Sequence, residues 1–398
     1  MEDLTVTPTP FAFADLHAGM QKYIDGDLLA GVSSAVLRGR ELVDVHCAGW
    51  GDRENRVPLR TDHIFRAFSS TKLITSCAAL LLHEEGRIDL DEPVQRFLPQ
   101  LADRRVLRPG ATSLDDSEPA RSPITLRHLL THSAGLSYGI FDPGTPMFRG
   151  YNERRVRHPE TTLAEMMDAL APLPLSFHPG TGWEYSVATD VVSRLVEVLG
   201  GEPFDRFIER RILGPLGMND TAFVVPEHKR DRFVAYYAGA DLMDPMKPGL
   251  TRTDDAPYRG AYLKPWPMLS GGGGLVSTLH DQVALIRSLL PGGPTLLKPA
   301  TIEMAMRNHL PEGQCIDFLG RGQIPGKAYG LIGAVTLKPS SIDPPDSTDE
   351  VQWGGIAGTH WWISPRRNLA GLVMAQRQMA FWHPFAFDLK RRVYRAVG

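Results

Sequence analysis

Three cysteines in 398 residues, Cys47, Cys77 and Cys315, show no CxxC spacing and offer no framework for disulfides or a thiolate metal site. Their odd number and wide scatter fit reduced thiols in a reducing compartment. The 13 histidines form no HExxH or comparable ligand spacing, so neither a metal nor another cofactor is expected. No run reaches the roughly 18 consecutive apolar residues that a membrane span requires. The first residues carry Glu2 and Asp3 where a secretory leader needs bases, and the expected location is the cytoplasm. A formal net charge of -3 gives no electrostatic reason to expect nucleic acid or an anionic membrane as partner. A small-molecule substrate is left as the expected partner, and oligomeric state is not legible.

What the chain does have is apolar bulk: 42% hydrophobic content can fill a sizeable core. An amphipathic stretch, residues 13–25, leads into two apolar runs flanking Arg38-Gly39-Arg40, a hairpin signal. From residue 69 to about 214 the pattern is helical and loop-rich. Two polar, proline-bearing segments, 104–123 and 142–159, read as surface excursions placed to shape the mouth of a cleft. Beyond Pro226 the four glycines Gly271–Gly274 introduce a helix over 279–290. Strand-like runs follow at 328–338, 359–364 and 369–375, then a terminal helix over 385–397. Strands at both ends with helices between predict one catalytic domain over 1–398. An α/β subdomain takes about 10–68 and 215–398, and a mainly helical subdomain about 69–214.

Three elements carry chemistry. Ser69-Ser70-Thr71-Lys72 heads the apolar run 73–82, and on a helix a lysine three residues after a serine shares its face. The spacing alone equally describes a helix cap followed by a solvated lysine. The run is apolar almost all round, however, so a lysine in its first turn must face a cleft or be paired. The second element is the glycine loop Gly180-Thr181-Gly182-Trp183-Glu184-Tyr185, ahead of a helix over 188–199. Tyr185 reads either as a core tyrosine or as a phenol whose anion a neighbouring ammonium favours, able to shuttle a proton. The third is Trp353-Gly354-Gly355-Ile356. It is either a turn joining strands or paired glycines ahead of a strand, where substrate meets bare backbone and the next amide donates to an oxyanion.

In this order the three elements resemble the class C β-lactamase superfamily of serine hydrolases, which includes penicillin-binding proteins and the family VIII carboxylesterases. Leu129-Leu130-Thr131-His132-Ser133-Ala134-Gly135-Leu136, Gly86 to Val94 and Gly271 to Thr278 are similar to it as well. The resemblance implies an α/β fold of the α+β type, with an antiparallel sheet flanked by helices and a helical subdomain. It implies Ser69 as acylated nucleophile, Lys72 and Tyr185 as the proton-handling pair, and the amides of Ser69 and Ile356 as oxyanion hole. It also implies Tyr138, Trp353, Gly354 and Gly355 as substrate-binding residues.

The departures point to the substrate. Where a lactamase keeps a cation and an Asn, this chain has Trp353 and Val187. Loss of a charge-assisted contact worth about 1.5–3 kcal/mol weakens an anionic substrate, whereas an indole offers a neutral ester an apolar wall. The expectation is therefore a serine carboxylesterase for small neutral, short-acyl esters, closest to family VIII. An acyltransferase of the lovastatin-pathway type, passing the acyl group to an alcohol, is the alternative, ahead of a β-lactamase or peptidase. A ligand-binding module without catalysis would require decay of the catalytic set, and none has decayed.

Overall fold

Two antiparallel pairings carry both ends of the chain into one sheet. Strand β1 (Gly31–Arg38) pairs with β2 (Glu41–Asp52) across the expected turn, where Gly39 adopts φ 58°. A shorter β3 (Val57–Pro58) extends that edge. On its other side β1 pairs with the C-terminal strand, Val32 standing opposite Ala375 and Arg38 opposite Leu369. The computed structural model describes residues 4–398; Met1, Glu2 and Asp3, whose acids entered the reading of the leader, lie outside the described residues.

The rest of the sheet comes from the last quarter of the chain: β4 (Lys327–Tyr329), β5 (Ala334–Thr336), β6 (Val351–Gly355), β7 (Thr359–Ser364) and β8 (Leu369–Ala375). The spatial order is β4-β5-β6-β7-β8-β1-β2-β3, antiparallel throughout. Residues 328–338, expected as one run, are instead a hairpin. Gly330 donates its N–H to Gly333 O at 2.8 Å, and a Cβ on Gly330 would lie 2.6 Å from Ala305 O, so the glycines make the turn.

Alternation along the strands divides the side chains between two apolar layers. Val32 and Val36 of β1 join Val373 of β8 under α1 (Ala14–Asp25) and the C-terminal helix, with Leu16, Met20, Leu389 and Val393. Ala35 and Leu37 face the opposite layer, which contains α2 (Thr71–Glu84), α3 (Ala188–Gly200) and α4 (Leu279–Arg287); the C-terminal helix is α5 (Phe385–Val397). Every residue of α2 from Thr71 to Leu82 is buried, as an all-round apolar helix requires. Helix α5 is pinned to the start of β6 by a buried ion pair, Lys390 Nζ to Glu350 Oε1 at 2.6 Å. Tyr394 donates to the other Glu350 oxygen, and this anchors the strand that carries Trp353. Among the described residues no helix is long and apolar enough to cross a membrane.

Candidate active site

A short strand, Ile64–Arg66, pairs with Val276–Thr278 and delivers the chain to a 3-10 turn, Phe68–Ser70, from which α2 departs. Phe68 has φ 45°, a left-handed conformation that costs a non-glycine residue on the order of 1–3 kcal/mol. Its ring is held against Tyr236 at 5.9 Å and Tyr262 at 6.2 Å. The turn separates the two serines. Ser70 is 3% exposed and its hydroxyl donates to Thr359 O at 2.7 Å, whereas Ser69 is half-buried and lines the cleft. Ser69 thus stands just ahead of α2, at the positive end of its macrodipole.

Lys72 is 3% exposed and its ammonium points inward. Nζ donates to Gly272 O at 2.5 Å and lies 3.4 Å from Ser69 Oγ. The Gly271–Gly274 segment reaches this position because it has no side chains: a Cβ on Gly272 would lie 2.8 Å from the Asp190 carboxylate, which accepts the Gly272 N–H at 3.0 Å. Burial pulls Lys72 below the ordinary lysine range. Tyr138 and Asp190 act to raise it, and Arg157 lowers it further.

Tyr185 donates its hydroxyl to Ser69 Oγ at 2.6 Å, and Lys72 Nζ lies 4.6 Å from its ring centre. The glycine loop is held by backbone bonds to the 132–137 segment: Gly180 N–H to Ser133 O, Glu184 N–H to His132 O and Val187 N–H to Ser137 O, at 2.8–3.1 Å. His132 packs under the tyrosine, ring centres 4.9 Å apart. One expectation is corrected here. The phenolate is not favoured by the nearby ammonium, because burial outweighs other influences and pushes Tyr185 up to about 12. It stands in the site as a neutral phenol that donates a hydrogen bond to Ser69 Oγ.

Strand β6 closes the other side. Its glycines stand within the strand rather than ahead of it, and the turn to β7 follows at Ile356–Gly358, with Gly358 N–H donating to Gly355 O at 2.9 Å. A Cβ on Gly355 would collide with Ala67 O, so this glycine lets β6 lie against the turn that presents Ser69. Ser69, Tyr185, Trp353, Gly354 and Ile356 share a cavity of about 40 Å³. Trp353 is buried 5.4 Å from the Tyr185 ring. Gly355 and Tyr138 do not line this cavity. Tyr138 stacks behind Tyr185 at 5.4 Å, with the Arg157 guanidinium 4.3 Å over its own ring.

Sequence reasoning missed several residues of the site. Phe141, Phe318, Phe381 and Trp382 complete the cavity wall, and Asp190 and Arg157 set the field around Lys72. Arg157 belongs to the 142–159 excursion and Asp190 to the helix after Tyr185, so both were within reach. Phe318 ends a three-residue strand, Ile316–Phe318, and Phe381 and Trp382 lie in a single 3-10 turn, Ala380–Trp382, elements too short to carry a periodic signal.

The family described as Beta-lactamase matches residues 20–388. The chain is 30% identical to Esterase EstB of Burkholderia gladioli over 388 residues, covering 94% of each. It is 34% identical to the Lovastatin esterase of Penicillium rubens over 360 residues, covering 84% of each. The solved structure of EstCE1, described as a hydrolase with promiscuous acyltransferase activity, superposes with a TM-score of 0.80 at 24% identity, covering 95% of this chain and 97% of that one.

Proposed function

Because the chain belongs to the Beta-lactamase family of serine hydrolases, we propose that it is a carboxylesterase working through an acyl-enzyme on Ser69, with short-acyl neutral esters as substrates. The observation that carries this reading is the three-way contact at Ser69 Oγ, with the Tyr185 hydroxyl at 2.6 Å and Lys72 Nζ at 3.4 Å. The esterase relatives support the same reaction class.

In the proposed cycle the neutral Lys72 amine takes the Ser69 proton as Oγ bonds to the carbonyl carbon. The oxyanion lies against the N–H groups of Ser69 and Ile356. As the ester C–O bond breaks, Tyr185 gives its proton to the departing alkoxide and recovers one from Lys72. Water then enters, loses a proton to the same pair and attacks the acyl carbon, and Ser69 is released with its proton restored. The 40 Å³ cavity among aromatic rings supports a short acyl chain, and Trp353, in the place of a lactamase cation, supports a neutral one. We place the enzyme in the cytoplasm, a setting supported by three free thiols.

A fluorophosphonate followed by peptide mapping tests the nucleophile, with label expected on Ser69 and none in Ser69→Ala. Label on Ser70 or Ser186 refutes the assignment. p-Nitrophenyl acetate and butyrate should exceed nitrocefin in kcat/KM by at least a hundredfold, and comparable rates would return the chain to the lactamase class. Acyl transfer to an added alcohol faster than hydrolysis would favour the acyltransferase alternative.

A further inference from the structure

Among the described residues three arginines are buried, and two of them are fully engaged. Arg66 donates to Val234 O at 2.8 Å, stands 4.1 Å over the Phe233 ring and has Asp254 at 3.8 Å. Arg104 donates to the carbonyls of Leu170, Ala171 and Leu173. Arg377 is different. It is 3% exposed, its Nε is wholly buried, and its guanidinium makes no hydrogen bond or ion pair among the described residues.

The backbone fixes where this group lies. Arg377 N–H donates to Ala357 O at 3.0 Å, in the turn after β6, and the side chain runs to the hairpin formed by Tyr237–Gly239 and Leu250–Arg252. A Cβ on Gly239 would collide with the Arg377 guanidinium, which therefore lies flush against bare backbone. Gly239 is itself half-buried, so a single strand separates the group from solvent. The acids nearby in the chain are committed elsewhere: Asp52 and Asp254 to Arg252, Glu54 to the Tyr237 hydroxyl, Asp241 to Lys247 and Asp244 to the Met246 N–H.

His383 is a second donor in the same position. It is fully buried, and its Nδ1 accepts the Phe385 N–H at 3.2 Å, which leaves the proton of the neutral ring on Nε2, an atom with no hydrogen bond. Burial, helped by the Arg377 charge, pushes His383 down to about 4, so the ring is neutral at neutral pH; the hairpin meets it at the Pro245 backbone. Buried donors are almost always paired, and a ligand with acceptor oxygens would complete this set. We propose that Arg377 and His383 form a binding site for a small carboxylate, separate from the Ser69 cavity, which neither residue lines. The planar fork of a guanidinium matches two carboxylate oxygens, and a site with one positive charge suits a monoanion better than a phosphate dianion.

Acetate is the probe, with the native enzyme at pH 7.5. Its methyl resonance should appear in saturation-transfer difference NMR and titrate as one site. The signal should fall at least fivefold in Arg377→Met and at least twofold in His383→Phe. Sodium formate should displace acetate, and sodium chloride at the same concentration should not. Without acetate, Arg377→Met should unfold no more than 3 °C below the native protein, because an unpaired guanidinium has no bond to lose. A larger fall, or a variant that does not fold, would mean that Arg377 already has a partner within the fold, and overturns the site. No acetate signal, a signal left unchanged by either folded variant, or displacement by chloride as readily as by formate also overturns it. If His383→Phe does not fold, Arg377→Met and the anion comparison decide by themselves. None of these readouts depends on catalysis at Ser69.

Discussion

Lys72 is held by a carbonyl and a hydroxyl, while its charged neighbours Asp190 and Arg157 act on it with opposite signs. That arrangement suits a lysine that must work as a free amine. Since the base form is the deprotonated one, kcat/KM should rise with pH along a limb set below the ordinary lysine range. Asp190 favours the ammonium, so Asp190→Asn should move the limb to lower pH, and Arg157→Gln should move it to higher pH. A pH–rate profile of each variant checks this, and limbs that stay in place would remove Lys72 as the titrating base. Lys72 and Tyr185 both contact Ser69 Oγ and so should act as one unit. Lys72→Ala and Tyr185→Phe should each cost on the order of 10²–10⁴ in kcat, and the double mutant little more. A double mutant showing the product of the two losses would mean independent roles. Trp353→Lys is a poor probe of substrate class, because it would bury an ammonium among the rings of Tyr185, Phe318, Tyr329 and Phe381.

The glycine loop before α3 carries a charge problem of its own. Glu184, next to Tyr185, is pushed up to about 7 by burial. Below pH 4.5 the carboxyl is protonated in both folded and unfolded chains and costs nothing. Between 4.5 and 7 only the unfolded chain ionises, so stability falls as pH rises, and above 7 the full penalty of about 3 kcal/mol is present. Glu184→Gln removes that penalty. Its stability advantage over the native protein should grow by about 3 kcal/mol between pH 4.5 and pH 8 in urea titrations. An advantage that does not change with pH would show that Glu184 ionises normally in the fold.

One apolar layer runs through the whole molecule. Ala35, Leu37, Val335 and Trp361 of the sheet belong to the same buried cluster as Leu129, Leu170 and Val196 of the helical segment. Helix α2 lies within it and exposes no apolar stripe to solvent. The sheet and the helical segment therefore have no separate cores, and they should unfold together. Thermal transitions followed by far-UV circular dichroism and by tryptophan fluorescence should coincide. Six of the seven tryptophans lie outside residues 69–214, which gives the two probes different views of the chain. Two resolved transitions would mean that the helical segment is an independent folding unit.

The pattern of residues was enough to place α2, the β1–β2 hairpin, the terminal helix and the Ser69, Lys72 and Tyr185 set. Each is announced locally, by an all-round apolar run, a glycine turn between strands, an amphipathic stripe or a motif of fixed spacing. The 328–338 run misled because its composition is strand-like on both sides of glycines that the fold uses as a turn, for which Ala305 leaves no other residue room. Tyr185 was legible as a candidate proton carrier but its protonation state was not, since the depth of burial that decides it is set by packing from distant segments. The aromatic wall of the Ser69 cavity was not legible at all. Phe318, Trp353 and the adjacent pair Phe381 and Trp382 come from three separate stretches, and local periodicity tells which face of an element is buried but not which other surface it meets. A cavity is the space left between such surfaces, so only the tertiary structure decided that Ser69 opens onto a small chamber walled by aromatic rings.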